Sequence, residues 1–294
     1  MADHPDRHEP RAWLVDKPAG PTSHDIVAGV RRGLPRRTRV GHAGTLDPFA
    51  TGLIVVLAGR ATRLARLLSD QPKRYRATVV LGARSSTGDP EGEITPGSPV
   101  PALDDVDAVL AGLTGAQEQT VPAYAAVRVE GQRMYELARR GVEVTRPVRS
   151  IVVYDLTVRE RHQDRGELVI DTLVSKGTYI RQLAADIGDR LGCGGYCGAL
   201  RRTAVGALRV DDAVAPERVA PETAIPIARL LGHLPQPALD AGRAVDLAHG
   251  RPVADGVRGE ALAMLGDRPV ALVDGDGSTV RPQVVLMDPA EVAG

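Results

Sequence analysis

Apolar positions recur along this chain at two spacings, and each spacing predicts a different element. Ile26, Val27, Val30 and Leu34 follow Thr22-Ser23 at helical steps, which predicts an amphipathic helix with a hydroxyl cap. Leu103, Val106, Val109, Leu110 and Leu113 predict a second helix, with Asp104 and Asp105 in its first turn. Ile180, Leu183, Ala184, Ile187 and Leu191 predict a third, ended by Gly192. Period-two alternation marks strands instead. Val152, Tyr154, Leu156 and Val158 form one, and Leu168, Ile170, Thr172 and Val174 the next, with a turn around Gln163–Gly166. Leu53–Ala58 is an unbroken apolar run and reads as a buried strand; Ala77–Leu81 is a further strand candidate.

These runs mix without strict βαβ alternation. The order predicts an α+β fold with a mainly antiparallel central sheet flanked by helices. No internal repeat and no Rossmann or phosphate-loop glycine pattern is present. Pro216, Pro221, Pro226, Pro235 and Pro237 punctuate residues 213–238, which read as a linker holding one short helix around Ile225–Leu231. Pro269–Val273 and Val280–Leu286 flank Asp274-Gly275-Asp276-Gly277, a hairpin signal, so 239–294 reads as a small β-rich C-terminal domain. The main domain then spans 11–212. Residues 1–10 are polar, lack an apolar signal region and read as a disordered tail.

With 294 residues the chain is long enough for a real core. It has no run of about 18 apolar residues that would span a membrane. Cys193 and Cys197 are too few for a disulfide framework or a four-ligand zinc site, so a reduced, cytoplasmic protein is expected. Cys193-Gly194-Gly195-Tyr196-Cys197 reads as a turn of small residues. The net charge is zero, but it is unevenly spread. From Asp211 to the end there are 13 acids and 7 arginines, which leaves the first 210 residues net positive. Arg31, Arg32, Arg36, Arg37 and Arg39 fall within nine residues without an acid. Arg60, Arg63, Arg66, Lys73, Arg74 and Arg76 follow, interrupted only by Asp70. Such clusters suit a phosphate-binding face, and equally a solvated arginine-rich surface. The chain has only three lysines, Lys17, Lys73 and Lys176, against 34 arginines.

Four segments carry candidate chemistry. In Gly41-His42-Ala43-Gly44-Thr45-Leu46-Asp47-Pro48 the glycines permit close backbone approach, and Pro48 disfavours helical geometry at Asp47. The loop displays a carboxylate beside a buried strand. Asp47 is then either a reactive group or a turn residue capping its own backbone. In Lys73-Arg74-Tyr75-Arg76, a tyrosine flanked by bases is either a base-stacking platform or an ordinary strand start. In Ser175-Lys176-Gly177-Thr178-Tyr179-Ile180-Arg181 a helix begins near Thr178. Its first N–H groups and Lys176 suit a phosphate, and the fork of Arg181 suits a carboxylate. The alternative is a plain helix cap with an exposed arginine. Leu200-Arg201-Arg202-Thr203 with Gly206 reads alone as a basic loop.

Together these segments resemble the TruB family, the bacterial tRNA pseudouridine-55 synthases. Asp16-Lys17-Pro18-Ala19-Gly20-Pro21-Thr22-Ser23 is similar to the family's first motif. Gly41 to Pro48, continued by Ala50-Thr51-Gly52-Leu53, is similar to its nucleophile motif. The Lys73, Ser175 and Leu200 segments complete the set in order, and the likeness covers about residues 10–210. Phe49, the only phenylalanine, stands where leucine is usual; Leu208 replaces a commoner phenylalanine; and Val121–Arg128 varies a segment that often carries a second proline, a serine and a lysine.

The resemblance implies a pseudouridine synthase fold with a PUA-like C-terminal domain. It also implies isomerisation of uridine 55 in the T-loop of tRNA. A monomer is expected, and because nothing is oxidised or lost in that reaction no cofactor is expected. In that reaction the glycosidic bond breaks, the base turns, and C5 rejoins the ribose. A carboxylate suits it because it is ionised at neutral pH and is a tolerable leaving group. Asp47 would be the nucleophile, acting on a flipped-out uridine. Attack at C1′, attack at C6 and removal of a ribose proton all remain open for it. His42 would fill the space the base leaves. Tyr75 would pack on the base and is a candidate for removing the C5 proton. Tyr179 and Leu200 would line the pocket, Arg181 would pair with Asp47, and Lys17 with Pro18 would support the loop. Arg31, Arg32, Arg36, Arg37, Arg39, Lys73 and Lys176 would contact RNA phosphates. Two rivals are a non-catalytic RNA-binding or assembly factor on this fold and a synthase acting on another RNA. A third, an aspartyl-phosphate enzyme prompted by Asp16–Gly20, lacks further acidic magnesium-binding motifs.

Overall fold

In a computed structural model, the structure describes residues 9–104, 106–125, 127–129, 131–134, 137, 140, 142 and 145–292. The expected tail up to residue 8, and Asp105 of the expected second helix, lie outside the described residues. In chain order, β1 (Arg11–Lys17), α1 (Ser23–Arg32), β2 (Val40–His42) and β3 (Thr51–Ala58) come first. Then follow β4 (Lys73–Leu81), α2 (Val106–Ala111), β5 (Gly115–Thr120), β6 (Val148–His162), β7 (Glu167–Val174), α3 (Ile180–Arg190) and β8 (Gly195–Val205). The last are α4 (Ala241–Ala248), β9 (Val253–Ala254), β10 (Arg258–Leu265), β11 (Arg268–Asp276) and β12 (Thr279–Val285). Helices and antiparallel sheets are mixed as the pattern predicted.

The chain divides into two compact units. One comprises Met1–Asp47, Gly52–Ser69 and Ala207–Gly294; the other comprises Pro48–Thr51 and Asp70–Gly206. In the first unit β3 is flanked on its two edges by antiparallel partners. β1 runs from Arg11 opposite Ala58 to Lys17 opposite Gly52, while β2 places His42 opposite Val56. α1 lays Ile26, Val27 and Val30 against Trp13, Val15, Ile54 and Val56. Thr22 caps this helix with a full capping box to Asp25.

The proline-rich stretch 213–238 is bonded to β1 over its first half. Val214 donates its N–H to Leu14 O and Ile225 to Ala12 O (2.9 and 2.8 Å), while Ala220 O accepts the Trp13 indole at 2.8 Å. Its short helix spans Ile227–Leu230. Beyond it, four antiparallel strands lie in the order β9-β12-β11-β10, and α4 covers their core through Ala244, Leu247 and Ala248. The expected hairpin is β11–β12, with Gly277 at φ +93° in its turn.

The second unit holds five antiparallel strands in the order β8-β4-β7-β6-β5. α3 buries Ile180, Leu183, Ala184 and Ile187, and Gly192 at φ +76° follows its end. Two expectations need correction. β4 begins at Lys73, four residues before the apolar run, because Lys73 and Tyr75 point inward where the pattern shows charge. Leu200–Thr203 is no loop: it lies in β8, and Arg202, 1% exposed, is among the most buried side chains. Cys193 and Cys197 are buried and unbonded to each other. The glycines between them serve close packing. A Cβ on Gly188 of α3 would meet the Gly194-Gly195 peptide at 2.2 Å.

Candidate active site

The connection from β2 to β3 is short, and its backbone is tied at two points. Ala43 N–H donates to Val55 O at 2.9 Å. The Ser23 hydroxyl accepts the Leu46 N–H at 2.8 Å and donates to Leu46 O at 3.0 Å. Gly44 takes φ +92°, which a side chain would strain, and so turns the chain between these ties. Asp47 comes next, half-buried, with Pro48 restricting its backbone. At the end of β2, His42 meets His24 edge-to-face, with ring centroids 5.7 Å apart. Lys17 is fully buried opposite Gly52, and its ammonium donates to Pro18 O at 2.9 Å. Asp47 thus lies within a strand connection that has His42 at one end and Lys17, bonded to Pro18 O, beside the other.

The second unit supplies an aromatic face. In the antiparallel register Tyr75 of β4 lies between Thr172 of β7 and Arg202 of β8, while Leu200 lies opposite Ala77. Directly opposed residues share a face, so Tyr75, Thr172, Leu200 and Arg202 line one side of this sheet. All four are buried. Thr51 Oγ1 donates to Leu200 O at 3.4 Å, which ties the segment after Pro48 to β8. The bases flanking Tyr75 face the other side and are engaged there. Arg74 pairs with Asp155 at 3.2 Å, and Arg76 forks onto Asp171 at 2.9 and 3.2 Å. Burial raises the Asp171 pKa, but hydrogen bonds from Arg76 and Arg159 outweigh it and leave the carboxyl below its ordinary value.

Arg181 enters from the start of α3, which begins at Ile180 with Tyr179 as an extended N-cap. The helix starts two residues later than expected because Gln119, 4% exposed, holds the Tyr179 backbone on both sides. Its carbonyl accepts the Tyr179 N–H at 2.8 Å, and its amide donates to Tyr179 O at 3.0 Å. The Tyr179 ring packs against Val121, Ala125 and Met134. The Arg181 guanidinium is buried and donates to Thr87 O at 2.7 Å, Tyr124 O at 2.9 Å and the Asp89 carboxylate at 3.1 Å. Asp89 is itself fixed, accepting from Thr87 Oγ1 and, at 3.1 Å, from Glu91 N–H. Gly88 lets the loop approach: a Cβ there would already touch the Arg181 Cβ at 3.4 Å.

The expected phosphate contacts fall into two groups. Arg31, Arg32, Arg36, Arg37 and Arg39 are exposed on the end of α1 and the loop after it. Arg31 donates to Val40 O at 3.1 Å, and Arg37 holds φ +71°. Lys176 is exposed and pairs with Asp70 at 2.9 Å. Lys73 is different. It is 6% exposed, and its ammonium donates to Gln71 O at 2.6 Å. Burial first, then the Arg202 charge, lower its pKa to about 8. This inward placement follows from its position on the Tyr75 face of β4 and does not present it to a phosphate.

Ser23 in the first unit, and Asp89 and Gln119 in the second, hold candidate residues in place without themselves standing out in the sequence. Ser23 stands in the first motif, but beside Thr22 it reads as part of a helix cap. Asp89, in Ser86-Thr87-Gly88-Asp89-Pro90, reads as a turn residue, which it also is. Gln119 has no local signal, since its partner lies 60 residues away. Among the described residues no group of three or more His, Cys, Asp or Glu is placed to hold a metal ion, and no helix is long and apolar enough to cross a membrane.

Residues 31–180 match the family model for the TruB family pseudouridylate synthase N-terminal domain, and 181–225 match that of the tRNA pseudouridylate synthase B C-terminal domain. The chain is 42% identical to tRNA pseudouridine synthase B of Thermobifida fusca over 286 residues, covering 93% of this chain and 97% of that one. It is also 42% identical to the protein of that name from Aromatoleum aromaticum over 260 residues, covering 84% and 83%. Among solved structures, a chain of a Cbf5-Nop10-Gar1 complex aligns with a TM-score of 0.73 at 24% identity, over 98% of this chain and 88% of that one, which shows a shared fold. By sequence, the chain belongs to the TruB family of pseudouridylate synthases.

Proposed function

We propose that this chain isomerises uridine 55 in the T-loop of tRNA to pseudouridine, with Asp47 as the nucleophile. The observation that carries the reading is the Asp47 loop: a carboxylate on a backbone held by Val55 at Ala43 and by Ser23 at Leu46, and followed by proline. The tRNA pseudouridine synthase B relatives at 42% identity support the substrate class. In this reading the target base flips out of the T-loop and His42 takes its place in the RNA. Tyr75 and Leu200 pack on the extruded base, with Tyr179 at the pocket wall. Of the three routes open to Asp47, attack at C1′ has the carboxylate bond to C1′ as the C1′–N1 bond breaks; the base turns, and C5 bonds to C1′ as the carboxylate departs. The C5 proton is then lost, with Tyr75 the candidate for removing it, and N1 takes up a proton, which restores the ring. No atom is gained or lost overall, so the chemistry calls for no redox carrier.

Arg181 supplies positive charge for the Asp47 carboxylate, and Asp89 keeps that guanidinium oriented. Lys17 and Pro18 brace the loop. Arg31, Arg32, Arg36, Arg37, Arg39 and Lys176 hold the RNA backbone and do not read bases. We read 11–212 as the catalytic part, 213–238 as the connection and 239–294 as a PUA-like appendage. The enzyme is read as a cytoplasmic monomer.

Asp47→Asn tests the reading. The amide is nearly isosteric but uncharged and a poor nucleophile. RNA binding is expected within about twofold of wild type, with pseudouridine formation on an unmodified tRNA transcript abolished. Normal turnover by Asp47→Asn would refute the nucleophile role. Turnover of other RNAs in preference to tRNA would refute the substrate.

A further inference from the structure

We infer that Ser23 is a positioning residue for Asp47. The inference rests on the reading of Asp47 as the reacting carboxylate. The Ser23 hydroxyl is not needed to cap α1. Thr22 and Asp25 form a complete capping box, with Thr22 N–H on Asp25 at 2.8 Å and Asp25 N–H on Thr22 Oγ1 at 3.1 Å. Ser23, 1% exposed, turns the other way and uses both its donor and an acceptor on one residue, Leu46. Leu46 is the residue immediately before Asp47, and its side chain is buried at 4% exposure.

The mechanical consequence follows from the elements at either end. α1 is anchored by Ile26, Val27 and Val30 in the core, so its first residue is a rigid support. Ala43 is tied to Val55 on β3. The four residues from Ala43 to Leu46 are thus held at both ends, with one glycine turn between. Asp47 leaves this clamp with its own backbone limited by Pro48. Rotation about the Leu46–Asp47 linkage would break one or both Ser23 bonds in a site closed to water. The hydroxyl therefore sets where the Asp47 carboxylate stands without touching substrate. A misplacement of about 1 Å in such a group costs on the order of 100-fold in rate.

The test compares wild type, Ser23→Ala, Ser23→Cys and Asp47→Asn on an unmodified tRNA transcript. Single-turnover rates are measured at saturating enzyme, RNA affinity by filter binding, and amide exchange at Leu46 by mass spectrometry or NMR. Ser23→Ala is expected to react about 10- to 100-fold more slowly, with RNA affinity within about twofold. Leu46 amide exchange should accelerate while the Val30 amide in α1 does not. A purely structural loss would weaken both together. Ser23→Cys, whose thiol is a weak donor and acceptor, covers the case in which Ser23→Ala does not fold; it is expected to lose at least about fivefold. Wild-type rates at saturation in the folded variant, or a loss wholly in affinity, would overturn the inference. If Asp47→Asn is inactive while the Ser23 variant reacts normally, only the Ser23 role fails. If Asp47→Asn itself turns over, the reading of Asp47 fails first.

Discussion

Asp89 and Arg181 form a buried ion pair whose loss can be measured. The Asp89 carboxylate lies 3.1 Å from the Arg181 guanidinium, and the two side chains are 6% and 4% exposed. Removing Asp89 takes one counter-charge from a buried guanidinium that keeps its bonds to Thr87 O and Tyr124 O, which costs up to about 3–5 kcal/mol. Asp89→Ala should therefore lower unfolding stability by that amount, read from urea transitions followed by circular dichroism. Asp89→Asn is not a mild substitute. One oxygen accepts from Arg181, and the other accepts from Thr87 Oγ1 and Glu91 N–H. Whichever way the amide is turned, its NH2 faces a donor, either Arg181 or the Glu91 N–H. A loss of about 2–3 kcal/mol is expected, the range for hydrogen bonds to charged groups and unsatisfied buried donors. Turnover should fall with Arg181 misaligned, while RNA affinity changes little. A double-mutant cycle with Arg181→Met separates causes: the second change should cost less once the first is made. Stability of Asp89→Ala within about 0.5 kcal/mol of wild type, or strict additivity in the cycle, would refute the buried-pair reasoning.

Gly188→Ala should destabilise the second unit by at least about 1–3 kcal/mol, because the new methyl would overlap the Gly194-Gly195 peptide; wild-type melting would show that α3 can back away. Lys73 sets a pH dependence. Its folded pKa of about 8 lies below the ordinary 10.5, so the folded state binds fewer protons across that window and stability should rise from pH 8 to 10.5. Lys73→Met should flatten that rise, and an unchanged slope would remove Lys73 as its source. Reversing Arg36 and Arg37 to Glu should weaken RNA binding and reduce its salt slope, while an unchanged slope would place the RNA elsewhere.

Much of the fold is written in local periodicity. α1, α3, β3, β6, β7 and the β11–β12 hairpin follow from spacing, caps and turn residues, because these signals act over a few positions. β4 is only half legible. Its inward positions include Lys73 and Tyr75, so the alternation is that of a strand but the residue types are not. β8 is harder still, since Arg201-Arg202 suggests solvent although Arg202 is buried. The proline-rich stretch 213–238 looks like a linker because prolines break helices. Within it, Val214 and Ile225 are bonded to β1 through the backbone N–H groups that these non-proline residues retain.

The sequence by itself determined the chemistry on offer: a carboxylate at Asp47, an aromatic at Tyr75 and a guanidinium at Arg181, in segments that resemble one family. It also determined the local turn around Asp47, because Gly44 and Pro48 act on backbone angles nearest to them. What holds these groups was decided only by the tertiary structure. Ser23 reaches Leu46 across 23 residues, Gln119 reaches Tyr179 across 60, and Asp89 reaches Arg181 across 92. The reason is physical. A helix cap or turn is favoured by its neighbours in the chain, whereas a buried hydroxyl, amide or carboxylate is satisfied by whatever partner packing brings, and sequence distance places no limit on that partner.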